Sequence, residues 1–338
     1  MRIEKTKIVD LSMVYVTAEL HLGGRRYLAA VSEARGERAY IIDPETNEYA
    51  QLWEGDTGVM NVIQVPDRDQ ILVITKFYPI FQSREAAICA LEPTEQGYMA
   101  PWKIREVMPL PFCHRIGIVQ NRHGVFVIGC QLCHDKEFQE DWSQPGALWM
   151  APIPDRMDGE WKLTKLYDGL TKNHGLWIED GNQVYICAEN GVLRFDLSDY
   201  RAGESAFPTM ITLTPTGDIS IAEMHGQKYA ATIEPFHGDS AAVYRLTDTA
   251  YEQIARFDIN FGHVVWIGEL FGKPSLILGS RGGEKQLEIV DLETGTRTVL
   301  EEGVGPTQIS IYPDGDTYKI LAANHGAGEV TIYTLYKA

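Results

Sequence analysis

Long apolar runs are missing from this sequence. None approaches the roughly 18 residues that a membrane-crossing helix needs. The first residues, MRIEKTKIVDLS, offer neither an apolar core nor a small-residue cleavage site, so no signal peptide is expected. Cysteine is sparse: Cys89, Cys113, Cys130, Cys133 and Cys187 make an odd set without framework spacing. With no leader and no disulfide pattern, the expectation is a cytoplasmic chain with free thiols. Clustered positive charge is absent too. The chain carries 30 Lys and Arg against 47 Asp and Glu, a net charge of −17. Without a basic run to neutralise phosphates, nucleic acid is excluded as a partner, and the acidity reads as solubility. No GxSxG, P-loop or GxGxxG motif stands in a suitable context. The Asp-rich spacing of a calcium loop is also lacking, and YPDGDTYK reads as a hairpin turn around Asp-Gly. Helical periodicity is missing throughout.

What is present is a repeat of pattern. Apolar, β-rich runs of 5–8 residues alternate with Gly, Pro, Asp and Asn along all 338 residues, the mark of many short antiparallel strands. The runs fall into groups of four, whose first strands begin near residues 13, 59, 114, 174, 219, 263 and 307. The spacing suits four-stranded propeller blades. The seventh group has only TQISIYP, YKILAANHG and EVTIYTLY, and the unused EKTKIVDLS can supply its outer strand. Such pairing of the termini removes two open sheet edges. The expected fold is therefore all-β: one seven-bladed β-propeller spanning 1–338 as a single domain, closed by its N-terminal strand. The segment CHDKEFQEDWSQPG should lengthen one loop of the third blade.

Within that frame the nine histidines divide by face. His21, His123 and His225 fall in turns between first and second strands, and read as ordinary surface histidines. His114, His174 and His263 each open a first strand, in FCHRIG, KNHGLW and FGHVVW. His134, His237 and His325 follow second strands, in CQLCHD, IEPFHGD and AANHGAG. These six map to the face where propellers bind ligands. A ring of neutral imidazoles on a channel suits a borderline divalent cation. Gln131, Glu189, Asn190, Glu234 and Asp239 share that face, as do Lys76, Tyr78 and Arg281. The opposing expectation is structural, since an imidazole opening an inner strand can bond a neighbouring blade's backbone. Cys130–His134 spells CxxCH, but it begins inside a strand and is rejected as a haem attachment site. The tryptophans Trp177 and Trp266, each three residues after a histidine, are expected to pack between blades.

The segments FCHRIG, KNHGLW, EPFHGD, FGHVVW and AANHGAG on a propeller frame resemble the propeller domain of aldos-2-ulose dehydratase and anhydrofructose dehydratase. More distantly they resemble oligogalacturonate lyase. The resemblance implies an axial metal, held largely by histidines, that assists elimination beside a sugar carbonyl or carboxylate. On this basis the expected function is a metal-dependent carbon–oxygen lyase or hydratase acting on an oxidised sugar. Its metal, Zn, Mn or Ni, would be held by His174, His237, His263 and His325. His114, Lys76 or Tyr78 would move the proton and Arg281 would hold a substrate oxygen. A non-catalytic scaffold or ligand-binding propeller is the alternative. The third reading is a lactonase or hydrolase, which in a calcium-dependent form would need a ring of Glu, Asn and Asp where histidine here predominates.

Overall fold

Strands that lie in the middle of a blade must be apolar on both faces, because blades pack face to face. The chain shows this: RRYLAAVS, ILVIT and KPSLILGS, the second strands of blades 1, 2 and 6, are almost wholly buried. Outer strands such as KIREVMP and YEQIARFD keep most of their side chains in water. A computed structural model describes residues 1–55, 57–79, 82–212, 214–247 and 251–337. In it the described residues form seven four-stranded antiparallel sheets and no helix. The fold is the expected seven-bladed β-propeller.

The innermost strands are Val14–Leu22, Val62–Gln64, Cys113–Asn121, Gly175–Glu179, Asp218–Met224, Gly262–Leu270 and Gln308–Asp314. Each touches the next, and the last touches the first, so they line a closed ring. The second inner strand is short, and the residues just before it contact the neighbouring blade. Arg115 donates to the Met60 carbonyl at 3.2 Å, and Asn61 Oδ1 accepts from the Ile116 amide at 2.9 Å. Two-residue turns join inner to second strands at Gly23-Gly24, His225-Gly226 and Phe271-Gly272, with φ from 51° to 78° at both positions. That is the left-handed geometry that matches strand twist and favours glycine.

Blade 7 closes as expected. Its outer strand is the N-terminal Arg2–Asp10, antiparallel to Glu329–Tyr336 from Arg2 opposite Tyr336 to Asp10 opposite Glu329. Lys5 fastens it to Glu301 and Glu329 at 2.6 and 2.8 Å. At the inner end of the seam Thr307 Oγ1 donates to the Tyr15 carbonyl at 2.9 Å.

Candidate functional site

Three inner strands share one irregularity. The ladders of blades 1, 3 and 6 shift register between Val14 and Val16, Cys113 and Arg115, and Gly262 and Val264. The residue left over at each bulge is Tyr15, His114 or His263. A bulge re-aims the side chain it carries, and all three turn toward one another. In blade 4 His174 occupies the corresponding place, its amide bonded to the Cys187 carbonyl at 3.0 Å just before the strand starts. His237 enters from the loop after Gln227–Glu234, its backbone held at φ 47°.

Their hydrogen bonds set the tautomers. His174 Nδ1 lies 2.8 Å from the Gly217 carbonyl, and His263 Nδ1 lies 2.8 Å from that of Thr307. A carbonyl only accepts, so both Nδ1 atoms carry hydrogen and both neutral rings present an Nε2 lone pair. Tyr15 donates its hydroxyl hydrogen to His263 Nε2 at 3.2 Å, and its oxygen faces His114 Nε2 at 3.4 Å. His237 Nε2 donates to His174 Nε2 at 3.1 Å. His114 Nδ1 is buried without a hydrogen-bond partner. The rings of His114 and His174 overlap at 4.1 Å, and His237 stacks on His263 at 4.8 Å. Burial, then the neighbouring imidazoles and Arg115, hold His114 and His174 well below the usual imidazole range. Burial does the same for His263, aided by His237 and Arg281, and takes His237 down to about 3 with Arg281 and Arg115 contributing. The cluster is therefore neutral near pH 7.

Deeper on the axis lies a cavity of about 220 Å³ lined by Arg115, Asp218, Asn61, Ser220, Gln308 and Trp266 among others. Arg115 and Asp218 approach to 3.6 Å there, and burial raises the Asp218 carboxyl above its ordinary value against the pull of Arg115.

Above the cluster stands a second group. His325 Nε2 donates to Glu33 Oε1 at 2.7 Å, and Arg281 Nη2 lies 3.2 Å from both ring nitrogens of His325. Glu33 comes from the loop after Arg25–Ser32, Arg281 from that after Lys273–Ser280, and His325 from that after Thr317–Asn324. Phe261 links the two groups: its ring lies 4.9 Å from that of His237 and 5.8 Å from the Arg281 guanidinium.

The sequence-predicted residues thus separate. His114, His174, His237 and His263 meet on the axis, while His325 joins Arg281 in the upper group. Lys76 turns outward to Glu106 at 2.9 Å. Tyr78 is buried beneath Arg35, 3.9 Å above its ring, and against Gly58, where a Cβ would come within 2.7 Å of it. Glu234 bonds Tyr244 at 2.6 Å and Arg256 at 2.9 Å within its own blade. Glu189 pairs with Lys172 at 3.0 Å, Asn190 Oδ1 accepts from the Thr171 amide at 3.1 Å, and Gln131 bonds Trp149 at 3.1 Å. His21, His123 and His225 pair with Glu19, Asp199 and Glu269. Tyr15 and Glu33 were not anticipated. Tyr15 could have been found by aligning the starts of the inner strands, where it stands in register with His114 and His263. Glu33 carries no comparable sequence signal.

The histidines were expected to hold a divalent metal. Among the described residues no three His, Cys, Asp or Glu side chains are arranged to do so. The His174 and His237 Nε2 atoms bond each other and His263 Nε2 accepts from Tyr15. The donor set does not fit a metal, and no step is routed through one.

No family model matches the chain, and neither does any curated protein sequence. Solved structures do. A Bacteroides fragilis protein proposed to be a 6-phosphogluconolactonase matches with a TM-score of 0.57 and 14% identity, over 91% of this chain and 88% of that one. A protein of the same proposed identity from Bacteroides uniformis gives 0.56 and 15%, over 86% of each. A chain of the mitotic checkpoint complex gives 0.62 and 14%, over 99% of this chain and 95% of that one. At such identities the likeness extends to the propeller fold. These findings correct the lyase expectation. The two Bacteroides neighbours are proposed lactonases rather than lyases, and no comparison bears out the resemblance to sugar dehydratases.

Proposed function

We propose that the chain hydrolyses a sugar lactone at the axial mouth. The observation that carries this reading is the Glu33–His325–Arg281 group, with Nε2 to Oε1 at 2.7 Å and the guanidinium 3.2 Å from the imidazole. The proposed identity of the two Bacteroides propellers supports it. Glu33 accepts from His325 Nε2–H, which fixes the tautomer, and Arg281 Nη2 donates to Nδ1; the Nδ1 lone pair becomes a base once the guanidinium moves onto the substrate. Arg281 has donors to spare, and a lactone carbonyl oxygen would draw its fork. Water then attacks the carbonyl carbon while its proton passes to His325 Nδ1. Arg281 stabilises the oxyanion. As the tetrahedral intermediate collapses, the ring carbon–oxygen bond breaks and the imidazolium returns the proton to the departing alkoxide, giving the open hydroxy acid.

The test is hydrolysis of aldonolactones near pH 6.5, read by acid release above the spontaneous rate. Glu33→Gln and His325→Asn should each lower kcat by about 10²–10⁴, the usual contribution of general base catalysis. Folded wild-type protein with no rate above background on any aldonolactone would overturn the reading in favour of a binding module.

A further inference from the structure

A separate pocket of about 490 Å³ opens on the same face as the mouth, between the loops that follow the second strands of blades 1, 2 and 3. Arg35, Arg84 and Lys136 line it, together with Ser83. Three cations in one pocket are notable in a chain of net charge −17, although Glu85 and Glu137 stand among the lining residues as well. Ser83 is fully buried, and its Oγ has no hydrogen-bond partner. A buried hydroxyl left unpaired is costly, so a ligand acceptor would satisfy it. Lys136 is almost wholly buried and donates to the Gln139 carbonyl at 2.7 Å, with its ammonium 3.1 Å over the Trp142 ring. Arg84 Nε bonds Asp135 at 2.8 Å, and its Nη2 donates to the Lys136 carbonyl. These contacts hold both cations in place. Arg35 is braced flat on Tyr78.

We infer that this pocket is an oxyanion subsite in which Arg35, Ser83, Arg84 and Lys136 hold a phosphoryl group. Guanidinium forks, an ammonium and a hydroxyl donor together match its acceptor oxygens. Arg35 lies two residues beyond Glu33 on one loop, which keeps their Cα atoms within about 7 Å. A sugar lactone with its carbonyl at the mouth can therefore carry a phosphate at its far end into the pocket. This last step rests on the lactone-hydrolase reading; the anion subsite itself does not.

Two measurements separate these claims. Inorganic phosphate is titrated into wild type, Arg35→Ala, Ser83→Ala and Arg84→Lys by calorimetry. Matched lactones with and without a terminal phosphate are then assayed. The inference expects saturable phosphate binding, weakened at least tenfold by Arg35→Ala and measurably by the other two. It also expects a KM at least tenfold lower for the phosphorylated lactone, an advantage that Arg35→Ala removes. Phosphate binding without hydrolysis of any lactone keeps the subsite and overturns the hydrolase reading. Equal KM for both lactones, with no phosphate binding, overturns the subsite and leaves the hydrolase. Loss of both overturns both. Because Ser83→Ala removes only an unpaired hydroxyl, its fold should survive, so the titration stays readable if an arginine variant is unstable.

Discussion

Replacing His263 by Gln should make the protein less sensitive to acid, even though it removes a native hydrogen bond. His263 is buried, its Nδ1–H is spent on the Thr307 carbonyl, and its Nε2 accepts from Tyr15. Burial holds its folded pKa well below the ordinary 6.5, with His237, Arg281 and His174 acting in the same direction. In the unfolded chain the ring regains that ordinary value and binds a proton as pH falls. Between the folded and unfolded pKa the unfolded state therefore binds more protons. Stability must rise with pH through this window and fall on acidification. A ring that stays neutral in the fold from pH 6.5 to 5.0 costs RT ln[(1 + 10^1.5)/2], about 1.6 kcal/mol. The assay is urea unfolding followed by tryptophan fluorescence at both pH values. Wild type should lose about 1.6 kcal/mol more than His263→Gln between them. The variant should be less stable at pH 7.5, because the Tyr15 hydroxyl loses its acceptor. Carboxylates such as Asp218 titrate in both proteins and cancel in the difference. Equal acid losses in the two proteins would refute the neutral, desolvated cluster.

Tyr15→Phe should cost about 1–3 kcal/mol at pH 7.5, because it leaves the buried His263 Nε2 lone pair unpaired; a neutral effect by urea unfolding would show that water already serves that atom. Removing residues 2–10 should expose the edge of Glu329–Tyr336 and produce aggregation by light scattering. A monomeric deletion variant with an unchanged Tm would defeat the closure argument. Ala at His21, His123 or His225 should shift stability by no more than about 0.5 kcal/mol, as expected of surface sites. Treatment with EDTA should leave Tm unchanged, since the Nε2 lone pairs of His174 and His263 already accept hydrogen bonds; a fall in Tm restored by Zn²⁺ would bring back the metal expectation.

The propeller was legible because blade position dictates composition. A strand covered on both faces by neighbouring blades must read as a continuous apolar run, and an outer strand must alternate. Four strands per blade then appear as a period, and a seventh blade short of one strand points to the unpaired segment at the other terminus. Those are local consequences of burial, visible one run at a time. The face assignment of the histidines followed from the same count, and it brought His114, His174, His237 and His263 to one place.

The division of labour among those side chains was not legible, because it depends on contacts that cross the ring. His325 and His237 both follow a second strand, yet His325 meets Glu33 from the first blade, 292 positions away in the chain. His237 instead turns inward onto His174. Nothing local distinguishes the two. The metal expectation had the same root. Imidazoles at equivalent strand starts imply convergence, but convergence permits two outcomes, shared coordination or mutual hydrogen bonding. Two backbone carbonyls, those of Gly217 and Thr307, set which nitrogen of each ring carries its hydrogen. Tyr15 and His237 then supply the donors that the exposed lone pairs require. A ring nitrogen already receiving a hydrogen bond has no lone pair left for an ion. The Nε2 lone pairs of His174 and His263 are thus met from within the cluster, while the Glu33–His325–Arg281 group at the mouth is where the proposed chemistry would lie.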